Sequence, residues 1–423
     1  MSQAGLPLTD WLRRLETFSP DEIDLGLDRV LAVLGRMAIA RPTRVIHVGG
    51  TNGKGSSVAM LRALLSADGT IVGTYMSPHV FDYNERICID GSAASDAQII
   101  AAFEQVEAAR EGIALTYFEY GTLAALAVFD AMNVETAVLE VGMGGRLDAV
   151  NAVDPDAALI TNVSLDHCEW LGGDIESIAF EKAGIMRHGV PVVFADRVIP
   201  ETILRQAEEI GATLVVAGRD YDWSVSGNGR WAWRGQRHEF LSLAPPLMAG
   251  TVQVQNAAGV LALLEAIGVD GAMDATLIDA ALGTVSLPGR MQLLAGEPEY
   301  LFDVAHNPAA ATALAGTLAA AGANGLVAII GMLDDKDVEG IVAPFAEIVD
   351  HWIAVTADSP RAIDAAELAR RIANQADTAC LIADSMGAAV AEAQAFAVDG
   401  GRVLVTGSFY VAGPLMARLS ARD

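Results

Sequence analysis

The chain has little positive charge and little cysteine. Its 423 residues include 27 lysines and arginines against 54 aspartates and glutamates, which gives a net charge of -27. Because this charge repels phosphate backbones and anionic lipids, neither a nucleic acid nor a membrane is expected as a partner. The three cysteines, Cys88, Cys168 and Cys380, form no Cys-x-x-Cys pair. Their scarcity and spacing exclude a zinc knuckle and fit a reducing cytoplasm.

The first residues do not resemble a secretory leader, and one long uncharged run needs an explanation. Asp10 and Glu16 lie in an N-terminal stretch that has no apolar core, so the protein is expected to stay in the cytoplasm. Residues 308–333 carry no charge, and a run of that length could span a bilayer. Turn-forming residues at 321–325 divide the run, so we expect a buried helix followed by a strand.

The length of the chain and its alternation of strand and helix patterns predict two α/β domains. Such alternation indicates a parallel sheet that is covered on both faces, and the length exceeds what one hydrophobic core holds. Tryptophans that alternate with polar residues over 213–243 predict a small antiparallel section. We therefore expect a P-loop parallel-sheet ATPase domain over residues 1–287, a linker over 288–298 and a smaller Rossmann-like α/β domain over 299–423.

Residues 45–57 predict a phosphate-binding loop between a strand and a helix. Glycines at 50, 53 and 55 let backbone N–H groups turn towards a phosphate, and Lys54 adds a positive charge. The loop departs from the common nucleotide-binding pattern because Gly55 separates Lys54 from Ser56. The alternative is an ordinary glycine-rich turn, but a lysine at this place has no packing role.

Three polar residues at the ends of predicted strands indicate a magnesium site. Ser77 follows one strand, Glu140 ends the next and His167 follows a third. Because the carboxyl ends of parallel strands meet at one edge of a sheet, these side chains are expected beside the phosphate loop. Oxygen ligands from such an edge suit Mg²⁺. Taken singly, each has an ordinary alternative as a turn serine, a strand-end glutamate or a structural histidine.

Two further stretches of the first domain indicate a substrate pocket and an unusual lysine. Residues 142–148 superficially resemble a dinucleotide fingerprint, but the segment after them is a loop rather than a helix, so we expect them to line a substrate pocket. Lys182 lies in the middle of an apolar stripe of a helix predicted over 174–186. An ammonium there is costly unless it is paired or chemically changed. A lysine that extends to the edge of the stripe is an equal alternative.

Eight motifs, in order along nearly the whole chain, resemble the folylpolyglutamate synthase and dihydrofolate synthase family of the Mur ligases. They are Gly50-Thr-Asn-Gly-Lys-Gly-Ser56, Ser77-Pro-His79, Asn84-Glu-Arg86, Glu140-Val-Gly-Met-Gly-Gly-Arg-Leu-Asp148, Leu165-Asp-His167, Glu181-Lys-Ala-Gly184, Pro288-Gly-Arg290 and Asp303-Val-Ala-His-Asn-Pro308. Residues 23–27 and 115–122 further resemble the bifunctional bacterial enzymes of this family. Spacing alone assigns no role to Arg290 or to the motif that begins at Asp303.

The resemblance implies an ATP-dependent ligase. Such an enzyme joins L-glutamate to dihydropteroate, giving dihydrofolate, and to the γ-carboxyl of folates through an acyl phosphate, with release of ADP and phosphate. A monofunctional folylpolyglutamate synthase or another Mur-type acid–amino acid ligase is the alternative. The resemblance also implies ATP, two Mg²⁺ sites and K⁺ as cofactors, small molecules as the only partners, and a monomer.

The resemblance implies a role for each matching residue. The residues that bind the nucleotide are Asn52, Gly53, Lys54, Gly55, Ser56, Asn256, Arg290 and Asp303. Ser77, Glu140 and His167 bind one Mg²⁺, and a carbamylated Lys182 supports a second. The catalytic set is Lys54, Lys182 and His306. Pterin binding falls to Ile23, Asp24, Leu25, Thr116, Tyr117, Phe118, Glu119, Leu147, Asp148 and Ala149.

Three rival functions remain for comparison. A cell-wall Mur ligase usually has another N-terminal domain, for which the roughly 45 residues before the phosphate loop leave no room. A non-enzymatic phosphate-loop switch would need neither Lys182 nor a second α/β domain. A dehydrogenase would need a dinucleotide site that the sequence lacks.

Overall fold

The structure, a computed structural model, describes residues 6–17, 24–322, 325–397 and 401–420. The chain forms two compact units. The first unit consists of Met1–Ser164, Cys168–Pro246 and Gln253–Val285, and the second of Leu165–His167, Leu247–Val252 and Ser286–Asp423. The predicted domain boundaries, with a linker over 288–298, stay a prediction.

An eight-stranded sheet forms the centre of the first unit. Its strands, in chain order, are β1 (Arg44–Gly49), β2 (Val72–Tyr75), β3 (Ile87–Ile89), β4 (Ser92–Ala93), β5 (Thr136–Glu140), β6 (Ala157–Ile160), β7 (Pro191–Phe194) and β8 (Thr213–Val216). Their order across the sheet is β4-β3-β2-β5-β1-β6-β7-β8. The strands from β2 to β8 in that order are parallel, and β3 and β4 are added antiparallel at one edge.

The strand β1 lies in the middle of this sheet, which explains its composition. A strand covered on both faces is largely apolar, and all of β1 after Arg44 is buried, including the polar ring of His47. Its register pairs Val48 with Glu140 of β5 and Gly49 with Ile160 of β6. The three strands therefore end level with one another, and the loops that follow them leave the sheet at the same edge.

Ten helices among the described residues accompany these strands. They are α1 (Leu8–Glu16), α2 (Asp28–Leu34), α3 (Lys54–Ala67), α4 (Asp96–Arg110), α5 (Tyr117–Ala131), α6 (Cys168–Leu171), α7 (Ile175–Ala183), α8 (Glu201–Ile210), α9 (Thr251–Ala266) and α10 (Ala275–Leu282). Short 3₁₀ helices cover Tyr83–Arg86, Ala149–Ala152 and Asp270–Ala272. Side-chain caps fix several starts: Ser95 begins α4 and Thr116 begins α5, each in a capping box.

The small antiparallel section is confirmed, with one correction. Its three strands are β9 (Asp222–Val225), β10 (Trp231–Arg234) and β11 (Glu239–Leu243), with β10 in the middle. The residues before them, β8, were also predicted as antiparallel, but β8 pairs with β7 in the parallel sheet. The helix α8 explains the difference, because a crossover helix returns the chain in a parallel direction. Sequence reasoning missed α8.

The second unit has a six-stranded sheet of its own. Its strands are β12 (Gln292–Leu294), β13 (Glu299–Phe302), β14 (Leu326–Ile330), β15 (Val349–Val355), β16 (Cys380–Ala383) and β17 (Arg402–Thr406). The order is β12-β13-β17-β14-β15-β16, and only β12 is antiparallel to its neighbour. The helices are α11 (Pro308–Ala320), α12 (Val338–Val342), α13 (Ala365–Ala376), α14 (Met386–Phe396) and α15 (Phe409–Ser420). Both the α/β class and the smaller second sheet agree with the prediction.

The uncharged run of the second unit is a helix followed by a strand, α11 and β14, as predicted. The strand is fully buried, but α11 is buried on one face only, at Ala311, Leu314, Ala315 and Leu318. Within the part of the chain that the structure describes, no helix is long and apolar enough to cross a membrane. The sequence pattern over 337–348 predicts a single helix, but α12 ends at Val342 and a 3₁₀ turn, Ala343–Phe345, follows. Pro344 accounts for the break because proline lacks the N–H that a helix interior needs.

Candidate active site

The phosphate loop leaves β1 with a backbone that only glycine can adopt. Gly50 has φ of 134°, and a β-carbon on it would lie 1.8 Å from Thr161 Oγ1. Gly53 has φ of 82°, and a β-carbon there would lie 2.6 Å from Asn256 Oδ1. Both positions combine left-handed backbone with a close neighbour. The second contact brings Asn256, predicted to bind nucleotide, against the loop.

Hydrogen bonds hold this loop in a curved shape. The Asn52 N–H donates to Asn162 Oδ1 at 3.0 Å, and the Thr161 hydroxyl donates to the Asn52 carbonyl oxygen at 2.5 Å. Lys54 Nζ donates to the carbonyl oxygens of Gly50 and Thr51, each at 3.1 Å. The lysine thus lies over the loop. Lys54, Gly55 and Ser56 open α3, so their N–H groups belong to a helix N-terminus, which favours an anion.

The predicted magnesium ligands lie in both units. Ser77 and Glu140 come together in the first unit, where the Ser77 N–H donates to Glu140 Oε2 at 3.2 Å. Glu140 is 5% exposed at the end of β5. Across residues 6–17, 24–322, 325–397 and 401–420, no three His, Cys, Asp or Glu side chains form a metal-binding group. A hard cation at Glu140 would therefore complete its shell with hydroxyl, phosphate or water oxygens, as Mg²⁺ does. His167 belongs to the second unit, and the three-residue set stays a prediction.

Asp148 closes the loop that follows β5. Its carboxylate accepts hydrogen bonds from the N–H groups of Met143 at 2.8 Å and Val150 at 3.0 Å. Burial raises the pKa of Asp148 to about 6, although these backbone donors oppose the shift. Phe118 packs against the same loop, since a β-carbon on Gly142 would lie 2.7 Å from its ring. Phe118 and Asp148, both predicted to bind the pterin, therefore lie together.

An arginine that sequence reasoning missed joins two other predicted pterin residues. Arg29 donates to Glu119 Oε1 at 2.9 Å and pairs with Asp24 Oδ2 at 2.6 Å. Glu119 also accepts from the Thr116 N–H at 2.7 Å in the cap of α5. No motif marks Arg29, but its place four residues after Leu25, which is predicted to bind the pterin, was a usable signal. Three other predicted pterin residues, Leu25, Tyr117 and Leu147, are partly buried, and Ala149 is buried. Ile23 lies outside the described residues.

Lys182 is buried, at 3% exposure, near the end of α7. The predicted stripe consists of Ile175, Ile178, Ala179, Ile185 and Met186. All of them are buried except Ile175, so the stripe begins one turn later than predicted. The Arg146 N–H donates to the Glu181 carbonyl oxygen at 2.8 Å. This bond ties the residue before Lys182 to the loop that contains Asp148.

The predicted residues of the second unit also cluster. Asp303 accepts from the N–H groups of Met291 and Ala305, each at 3.0 Å, beside Arg290. Burial raises the pKa of Asp303 above its ordinary value, although the Arg290 guanidinium opposes the shift. His306 Nδ1 contacts the Val304 carbonyl oxygen at 2.8 Å, so this nitrogen carries the hydrogen. Arg290 lies over the Phe409 ring at 5.4 Å.

Asp166, which sequence reasoning did not single out, is the centre of a charged cluster in this unit. It accepts from Asn307 Nδ2 at 3.0 Å and from Lys336 Nζ at 2.9 Å, and His306 Nε2 lies 3.5 Å away. Burial opposes ionisation of Asp166, but His306, His167 and Lys336 outweigh it and lower its pKa well below the ordinary value. Asn307 caps α11, because its side-chain oxygen accepts a hydrogen bond from the Ala310 N–H at 2.9 Å. The signal for Lys336 was the charged run Asp334-Asp-Lys-Asp337 after a buried strand.

Comparisons with known proteins show what this chain is similar to. The Mur ligase middle domain matches residues 48–264, and the Mur ligase glutamate ligase domain matches residues 289–409. The dihydrofolate synthase/folylpolyglutamate synthase of Escherichia coli strain K12 is 41% identical over 422 residues, which cover 99% of this chain and 97% of that protein.

Two solved structures are similar over the whole chain. E. coli FolC in complex with DHPP and ADP has a TM-score of 0.94 and 39% identity, and the match covers 100% of both chains. A bifunctional folylpolyglutamate synthase/dihydrofolate synthase with Mn, AMPPNP and L-glutamate bound has a TM-score of 0.89 and 37% identity, with 99% of each chain covered.

Proposed function

The chain belongs to the Mur ligase family, and we propose that it is an ATP-dependent ligase with two acceptors. It joins L-glutamate to dihydropteroate, which gives dihydrofolate, and to the γ-carboxyl of folates, which lengthens their glutamate tail. The observation that carries this proposal is the identity of 41% over 99% of the chain to a relative with both activities in its name. The match to FolC with DHPP and ADP supports the same assignment.

The reaction needs charge neutralisation and positioning rather than a nucleophilic side chain. The γ-phosphate of ATP passes to the acceptor carboxylate and gives an acyl phosphate and ADP. The amine of glutamate then attacks the acyl carbon, an amide forms, and phosphate leaves. The donors of the phosphate loop, with Lys54 above it and the N-terminus of α3, suit the phosphates. A bound Mg²⁺ would further neutralise phosphate charge.

We propose the following residues for these tasks. Asn52 to Ser56 and Asn256 bind the nucleotide, and Arg290 and Asp303 of the second unit contribute to the same task, with His306 nearby. Ser77, Glu140 and His167 hold Mg²⁺, for which the buried carboxylate of Glu140 is suitable support. Phe118, Asp148 and the Arg29-linked pair of Asp24 and Glu119 hold the pterin.

Lys182 is proposed to be carbamylated and to support a second metal ion. The support for this proposal is burial, because a side chain at 3% exposure favours the neutral amine over the ammonium. The neutral amine can add CO₂ and lose a proton, which gives a carbamate anion that a cation can neutralise. A bound K⁺ stays an expectation of the resemblance. We also propose that the protein acts as a monomer in the cytoplasm, where its free cysteines would stay reduced.

Phosphate release with two acceptors tests this function. The wild-type protein should release phosphate from ATP only when glutamate and either dihydropteroate or tetrahydrofolate are both present. If glutamate gives turnover with tetrahydrofolate but not with dihydropteroate, the monofunctional alternative is supported and the synthesis of dihydrofolate is rejected. If glutamate causes no turnover with either acceptor, the proposed ligase function is rejected.

A further inference from the structure

One part of the phosphate-loop edge has no role in the function proposed above. It is the loop over residues 78–86, which follows Ser77 and contains His79 and the motif Asn84-Glu-Arg86. Asn84 Nδ2 donates to the Ala94 carbonyl oxygen at 2.7 Å, so its task is structural. Glu85 accepts from the N–H groups of residues 80, 81 and 82, at 2.8, 2.9 and 2.9 Å. These bonds fix the shape of the loop and leave Arg86 and His79 to be explained.

Arg86 is a buried cation that no carboxylate of the described residues pairs with. It is 9% exposed. Its guanidinium lies between two tyrosine rings, 5.5 Å from Tyr83 and 5.3 Å from Tyr117, which stabilise a cation through their π faces. Buried charges are normally paired, and Glu85 is already occupied by the loop. The charge of Arg86 therefore remains available to an anion from outside the chain.

The hydrogen bond between Arg86 and His79 fixes which ring nitrogen of His79 carries the hydrogen. Arg86 Nε donates to His79 Nδ1 at 2.8 Å. Because an arginine nitrogen can only donate, Nδ1 must accept, and the ring hydrogen of neutral His79 is then on Nε2. His79 is partly exposed. It presents an N–H donor that is backed by a positive charge.

A second buried donor lies in the same group. The hydroxyl of Tyr83, which is 3% exposed, has no hydrogen-bond partner among the residues that the structure describes. A β-carbon on Gly121 would lie 2.7 Å from this hydroxyl and 2.8 Å from that of Tyr75. Glycine therefore keeps space where two phenol hydroxyls converge. The Tyr83 ring is also 5.9 Å from the His79 ring.

We propose that His79 binds the α-carboxylate of a glutamyl group and that Arg86 is the residue that positions it. A carboxylate accepts hydrogen bonds from N–H donors and is stabilised by a neighbouring arginine charge. The other anion of the reaction, the ATP phosphates, is proposed to bind at the loop after β1. The Ser77 N–H contacts Glu140 at the start of this loop, so His79 lies two residues from the proposed metal edge. Because this inference rests on the proposed function, the glutamyl group belongs either to incoming glutamate or to the tail of a folate.

Two substitutions of His79 separate binding from structure. His79→Asn keeps an acceptor near Nδ1 for Arg86 but loses the outward donor, whereas His79→Gln keeps a donor near Nε2. Loss of a hydrogen bond to a charged group should raise the affected KM roughly ten- to hundred-fold in His79→Asn, with kcat changed less than about three-fold. His79→Gln should be closer to wild type. Arg230→Gln, in the small antiparallel sheet, is the matched control and should keep wild-type constants.

The two acceptors identify the source of the carboxylate. A raised KM for glutamate with both dihydropteroate and tetrahydrofolate assigns the site to incoming glutamate. A raised KM for tetrahydrofolate, with that for dihydropteroate unchanged, assigns it to the folate tail, because dihydropteroate has no glutamyl group. Unchanged constants in a folded His79→Asn protein would overturn the proposal while the ligase function survives. A wild-type protein without turnover would instead reject the proposed function.

A spectroscopic measurement tests the role of Arg86. In the wild type, ¹⁵N shifts of the His79 ring should show the hydrogen on Nε2. Arg86→Lys should lose this signature and show the same selective rise in KM as His79→Asn. A hydrogen on Nδ1 in the wild type would overturn the positioning role of Arg86.

Discussion

The histidine inside β1 predicts a pH-dependent stability. His47 is fully buried, and neither of its ring nitrogens has a hydrogen-bond partner among the described residues. Burial, with the nearby Arg187 guanidinium, lowers its pKa from 6.5 to about 3. The unfolded chain therefore binds a proton that the folded chain excludes. Stability is complete above pH 6.5 and falls as the pH drops from there towards 3.

The size of this effect follows from the pKa difference. Each pH unit between the two pKa values costs about 1.4 kcal/mol, so His47 alone should remove about 2 kcal/mol of stability between pH 7.5 and pH 5. His47→Leu removes this contribution. At pH 7.5 the variant should be as stable as the wild type or more so, because it also removes two unpaired polar atoms from the core.

Urea unfolding at both pH values measures the difference. Tryptophan fluorescence reports mainly on the first unit, since five of the six tryptophans belong to it. Between pH 7.5 and pH 5, the free energy of unfolding of the wild type should fall by about 2 kcal/mol more than that of His47→Leu. His188→Leu, which removes an exposed histidine of the same unit, is the control. Parallel losses in wild type and His47→Leu would refute the reasoning, as would an equal effect of His188→Leu.

Three further changes test the site. Lys54→Ala should abolish product formation with an unchanged circular dichroism spectrum, and turnover in the folded variant would reject the phosphate loop. Lys182→Ala should be nearly inactive and partly rescued by a short-chain carboxylic acid, whereas near-normal turnover of Lys182→Met would reject carbamylation. Asp148→Ala should raise the KM for dihydropteroate roughly ten-fold, because a buried acceptor is worth about 1 to 3 kcal/mol. Unchanged dihydropteroate kinetics in that variant would place the pterin elsewhere.

Local signals predicted the parts of this protein that local physics controls. The pattern over 96–110 predicts a helix with the observed bounds of α4, and the Ser95–Gln98 capping box at its start is a contact between neighbours in sequence. The phosphate loop was equally predictable, since the conformations of Gly50 and Gly53 exclude other residues. Helical periodicity placed Lys182 on an apolar stripe, and the structure buries it there. In each case the deciding residues are close together in sequence.

Tertiary structure decided which distant residues meet. Asp166 contacts Asn307 and Lys336, which are 141 and 170 positions away, and Arg29 reaches Glu119 across 90 positions. Periodicity shows which face of an element is buried, but it does not identify the side chain that packs or bonds there. His47 looked like an ordinary strand residue for the same reason: only the packed sheet removes its water and leaves its ring without partners.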